Sequence, residues 1–185
     1  MAEAGDLRFD LLRDDIYAEV ASSDEVASYP SDTIYLEVSE ELSVAFIIDL
    51  CYTDGSRFRW PITPDHLRQW KLSTEELFAL AGAKGSVVPV SRWHRISRFG
   101  RAYSYPGDDR DWTAHLLRTN DLETMGLRGV PVIMIPNQES MLVTGAHDWL
   151  GIRAIRSFAH EITATPLTPR MLMLKNGRWV SFGQR

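Results

Sequence analysis

Between Leu7 and Val20 the apolar residues Phe9, Leu12, Ile16 and Val20 recur every three or four positions, the period of an amphipathic helix. Asp6 stands where a cap is needed, so the pattern predicts an N-terminal helix. The stretch "SSDEVASYPSD" that follows is broken by Ser, Asp and Pro and reads as a connection. β-Branched and aromatic residues then dominate "TIYLEV", "SVAFIIDLCY" and "SRFRW", with Asp54-Gly55 before the last of these. That order predicts a strand, a second strand, a turn and a third strand.

Pro64 to Trp70 fits a short helix. In Ser73-Thr74-Glu75-Glu76 the serine can accept from the Glu76 amide while the glutamate reaches back, a capping box for a second helix running to Ala81. Gly82, Gly85, Pro89, Gly100, Pro106 and Gly107 punctuate the middle, where strand and loop are not separable by pattern. "WTAHLLRT", "VPVIMIP" and "SMLVTG" read as three further strands, the uniformly apolar second one central in its sheet. Asn137-Gln138-Glu139 is a tight hairpin loop between the last two.

From Asp148, placed to cap, Leu150, Ile152, Ile155, Ala159 and Ile162 follow a helical period, with Pro166 beyond the end. The runs on either side of Asn176-Gly177 predict a closing β-hairpin, because both central positions of a type I′ turn need positive φ. Hairpins grouped between helices, with few βαβ alternations, indicate the α+β class with a mainly antiparallel sheet. At 185 residues one domain is expected, an acidic segment over 1–32 leading into a core over 33–185.

Charge is unevenly distributed. Residues 1–41 hold twelve acids against Arg8 and Arg13, a charge of −10, so the remainder carries +5 within a net −5. Arginine supplies 17 of the 20 basic residues, favouring bidentate contacts to carboxylate or phosphate. No run is long enough to span a membrane and nothing near Met1 resembles a secretory signal, so a cytoplasmic location is expected. The single Cys51, in "IIDLCY", is expected to be buried and inert, and it excludes an internal disulfide and any cysteine-built metal cluster.

No histidine begins an H-x-E or H-E-x-x-H motif, and neither G-x-S-x-G nor G-x-G-x-x-G occurs. His147-Asp148 and His160-Glu161 lie at opposite ends of one predicted helix, about 20 Å apart at a rise of 1.5 Å per residue, too far to share a metal. No metal and no cofactor is predicted. In "SRWHRISRFGRAY", Arg92, Arg95, Arg98 and Arg101 repeat every third residue with Trp93, Phe99 and Tyr103 between them. Basic and aromatic residues together grip phosphates and stack bases. The strip is short, however, and the chain is acidic, which argues against nucleic acid and for an intramolecular partner such as the acidic N-terminal segment.

The chain also resembles the bacterial YtpQ-like family, a domain of unknown function, over roughly residues 35–182. "LSVAFIIDLCYTDGSRFRWPITPDHLRQWKLSTEELFALA" is similar to that family's strand, helix and W-x-x-S-x-x-E-L segment, here Trp70, Ser73, Glu76 and Leu77. "DWTAHLLRTNDL" and "GVPVIMIPNQESMLVTG" resemble its later stretches. The resemblance implies a compact α+β domain and assigns no particular activity. This chain departs from it with Gln138-Glu139 where the family has Arg-Asp, and with Gly82-Ala83 where it has Asn-Leu.

These readings lead to a non-catalytic intracellular domain, an adaptor, immunity or accessory protein, that binds another protein. Trp and Arg dominate interface hot spots, which makes Trp93, Arg95, Arg98, Arg101, Trp112 and Trp149 the interface candidates. Trp60, Trp70 and Trp179 are expected in the core. The alternative is an enzyme whose Glu139, His147 and Asp148 converge on a small pocket, with His147 as base and a carboxylate orienting it.

Overall fold

The computed structural model describes residues 8–84, 92–105 and 112–183. Its frame is two antiparallel sheets and a set of helices, an α+β architecture. In the first sheet β3 (Leu42–Cys51) is central. β1 (Ile16–Ser22) pairs along one edge, and β2 (Tyr35–Ser39) and β4 (Arg57–Pro61) share the other. The second has the order β10 (Arg178–Ser181), β9 (Leu172–Lys175), β7 (Pro131–Asn137), β8 (Ser140–Gly145), β6 (Tyr103–Ser104) and β5 (His94–Arg95). The apolar run "VPVIMIP" thus forms an interior strand.

The N-terminal helix is corrected to one turn, α1 (Phe9–Leu12), followed by a 3₁₀ turn and then β1. Ile16 and Val20 fit a helical period, but with Ala18 they also fit a period of two. Pairing decides between them, because β1 lies in register with β3 from Ile16↔Ile48 to Ser22↔Leu42, with Ile16, Ala18 and Val20 all buried. The expected cap Asp6 lies outside the described residues, as do Gly85, Pro89, Pro106 and Gly107. The supposed connection after β1 holds a short helix, α2 (Ser23–Ser28), closed by a Ser22/Glu25 capping box.

α3 (Pro64–Trp70) and α4 (Thr74–Lys84) follow the sequence pattern, and the Ser73–Glu76 box forms with bonds of 2.8 and 3.1 Å. "WTAHLLRT" is corrected from strand to helix, α5 (Thr113–Leu117), followed by α6 (Thr119–Glu123). Ala and Leu favour helix, and the buried Trp112 and Leu116 stand one helical turn apart on the face that joins the core. α7 (Trp149–Ile162) begins at its Asp148 cap, whose Oδ1 accepts from the Gly151 amide at 2.9 Å. Asn176 and Gly177 have φ of 52° and 73°, as the closing hairpin requires.

Side chains alternate along β7. Ile133 and Ile135 join the main core with Phe46, Val44 and Ile48 of the first sheet, whereas Val132 and Met134 face Ile155 and Ala159 of α7. α7 therefore packs against the far side of the second sheet. On the first sheet's other face Glu19 and Asp49 are buried at 2% and 9% exposure. Arg59 pairs with Glu19 and approaches Asp49 at 4.0 Å, and the Arg57 Nε lies 3.1 Å from Asp49. Cys51 is corrected from buried to exposed, since burial falls away where β3 runs past β1, whose pairing ends at Ile16↔Ile48, and only β4 continues beside it. No helix among the described residues is long and apolar enough to cross a membrane.

Candidate interaction surface

The loop joining β5 to β6 lies across the first turn of α7. Its path is set by backbone bonds from Ile96 to Ala102 at 3.0 Å and from the Gly100 amide to the Ser97 hydroxyl at 2.9 Å. The Arg95 guanidinium donates to the Gly100 carbonyl at 3.3 Å. At the tip Gly100 meets Leu150 and Gly151 so closely that neither glycine has room for a side chain, the Thr144 hydroxyl occupying the space a Cβ on Gly151 would need.

Asp148 ties the two elements together. While Oδ1 caps α7, Oδ2 accepts the Arg101 amide at 2.6 Å, and Thr144 donates to the Arg101 carbonyl at 2.9 Å. Burial pushes the Asp148 carboxyl up. The amide bonds from Arg101 and Gly151, with the positive charge of Arg128 and Arg101, outweigh it and hold the group below its ordinary range. The Arg101 guanidinium reaches the Gly126 carbonyl, and the His147 amide donates to the Arg128 carbonyl at 2.8 Å.

Phe99 and Trp149, next in sequence to the residues in contact here, are 73% and 67% exposed, and the same segments carry exposed Arg95, Arg98, Arg101, Arg128, His147 and Arg153. Arg98 stands 5.7 Å from the centre of the Phe99 ring, within cation–π range. The segments forming this face, residues 92–105 and 124–160, contain two acids, the engaged Asp148 and Glu139.

The structure thus groups four of the six sequence-derived interface residues, Arg95, Arg98, Arg101 and Trp149, and places the other two elsewhere. Trp93 is 6% exposed and packs edge-on against Tyr105 at 5.2 Å. Trp112 is fully buried, its indole donating to the Gln138 carbonyl at 3.1 Å. Both are core residues because their flat rings fill the space between elements. Of the strip arginines, Arg95 bonds to backbone carbonyls of its own loop and Arg101 to that of Gly126. Within the N-terminal segment Asp10 pairs with Arg8 and Glu19 with Arg59.

Glu139, His147 and Asp148 do not converge. Glu139 sits in the β7–β8 turn, and the six residues of β8 put it about 20 Å from His147 at 3.3 Å per residue. A different histidine–carboxylate pair, not evident in the sequence, is His115 Nδ1 to Asp121 Oδ2 at 3.5 Å. His115 is 2% exposed among the rings of Trp93 and Tyr105. Burial lowers its pKa, Asp121 opposing and Arg118 reinforcing the shift. A broad groove of about 950 Å³ runs between β2, α4, α5 and the β9–β10 turn. It is lined by Leu116, Leu117 and Arg118 but not by the His115 ring. Among the described residues no cluster of three or more His, Cys, Asp or Glu is placed to hold a metal.

Comparison with known proteins found no matching family model, no matching curated protein and no matching solved structure.

Proposed function

We propose that the chain is a non-catalytic interaction domain that binds an acidic partner protein through the face around Phe99 and Trp149. The observation that carries this reading is the joint exposure of those two rings next to the Gly100–Gly151 contact, with exposed arginines on the same loop and helix and Arg98 over the Phe99 ring. An exposed aromatic patch rimmed by polar residues marks an interaction site, and Trp and Arg are the side chains that supply most interface energy. The arginines select a partner of opposite charge and speed its approach. A local acidic patch fits this face better than a nucleic acid does, because the cationic strip is short for an extended polyanion. The resemblance to the YtpQ-like family belongs to the same proposal and brings no activity that competes with binding.

The test is affinity capture from the native host with the wild type beside an Arg95→Glu/Arg98→Glu variant, then titration of the recovered, purified protein against both. The reading requires an acidic protein whose affinity falls at least about tenfold in the variant. Equal binding by the variant overturns it, as does the lack of any saturable partner for wild type shown by circular dichroism to be folded.

A further inference from the structure

The other end of α7 borders a second concavity, of about 280 Å³. Arg156 and His160, one turn apart on the exposed side of the helix, form one wall, and Arg170, just before β9, stands across from them. Its floor is apolar, with Met134 and Met171 only 3% and 4% exposed, and Phe182 closes the side. No acid lines it. Arg170 shares its Nε with Glu41 at 3.5 Å, whereas neither Arg156 nor His160 forms an ion pair with a described residue.

We propose that this pocket is an oxyanion seat that takes a phosphomonoester group. A guanidinium presents forked donors that match phosphate oxygens, an imidazole adds a donor from the same helix face, and Arg170 adds charge from a separate segment. Donors arriving from different directions suit a tetrahedral dianion better than a planar carboxylate, which one guanidinium satisfies. The carbon bearing the phosphate rests on Met134, Met171 and Phe182. The volume lies just below the roughly 300–1,000 Å³ of pockets for drug-sized ligands, so the seat holds the phosphate and its first few carbons. The C-terminal dipole of α7 opposes an anion by about half a charge, less than the full charge of Arg156, while Arg170 divides its own with Glu41. This inference stands apart from the acidic-partner reading, because the residues are different.

The phosphate can come from a modified side chain of a protein or from a small phosphorylated metabolite. The full chain is titrated by calorimetry with phenyl phosphate, acetate, and a tyrosine peptide in phosphorylated and unmodified forms. Saturable binding of phenyl phosphate is expected, weakened at least about fivefold by Arg156→Gln and by His160→Gln and unchanged by Arg68→Gln on α3, an exposed arginine away from both faces. Tighter binding of the phosphopeptide than of phenyl phosphate assigns the seat to a protein-borne group, and equal or weaker binding assigns it to a metabolite. Lack of saturation with every phosphate probe, acetate binding as tightly as phenyl phosphate, or an Arg156→Gln variant that binds like wild type overturns the proposal.

Discussion

Gly100 rests on Gly151 so closely that a Cβ added to Gly100 would lie 2.5 Å from the Gly151 nitrogen and 2.9 Å from its Cα. The obstacle is helix backbone, which cannot swing aside as a flexible side chain can. Gly100→Ala is therefore expected to cost about 1–3 kcal/mol of stability, the range for overpacked contacts, measured by urea denaturation. It should also weaken partner binding by separating Phe99 from Trp149. A variant as stable as wild type would mean that the loop does not sit on the helix as described.

Two tryptophans from the same sequence-derived set should behave oppositely. Trp112→Ala empties a fully buried site and removes the donor to the Gln138 carbonyl, with an expected loss of about 3–5 kcal/mol. Trp149→Ala, at 67% exposure, should change stability by no more than about 0.5 kcal/mol while reducing affinity for the captured partner. Denaturation curves of both variants, with titration of the second, check the contrast.

On the outer face of the first sheet, Arg59→Met removes the guanidinium that pairs with Glu19 and neighbours Asp49. Arg59 is 36% exposed but Glu19 only 2%, so removing the guanidinium leaves a buried carboxylate without its partner, and a loss of about 1–3 kcal/mol is expected. Adding Glu19→Leu to that variant should restore most of it, because the charge itself is then gone. Failure of the second substitution to recover stability would show that the pair is not where the cost lies.

Burial depresses the pKa of His115, and also that of His66. A base depressed by folding takes its proton more readily in the unfolded chain. Its contribution is complete above the ordinary histidine value of 6.5 and is lost as pH falls below it. Unfolding free energy should therefore drop between about pH 7.5 and about pH 5.5, a window above the titration of Asp148. His115→Phe should flatten the slope in part, His66 supplying the rest. An unchanged slope would remove His115 as its source.

The strands with strong local signals, β3, β7, β8 and the Asn176-Gly177 hairpin, were legible because turn chemistry and apolar content agreed there. β1 was not, since Ile16 and Val20 satisfy two periods at once and only pairing with β3 chooses between them. α5 was hidden by its brevity, five residues being too few for a helical pattern to outweigh a strand-like one. The interface arginines and Trp149 could be read from residue type. Their meeting could not, because the Gly100–Gly151 junction joins residues fifty-one positions apart and leaves no local trace. Trp93 and Trp112 misled for a related reason, since a tryptophan's identity says nothing about which side of the core boundary it occupies.

β3 ends at Cys51, the one cysteine of the chain, and it is exposed. Maleimide chemistry therefore has a single place to react, on the first sheet, whereas α7 packs against the second. A dye attached there marks the first sheet, whereas the Phe99 loop belongs to the second, and a surface coupled through that sulfur would hold every copy by the same atom.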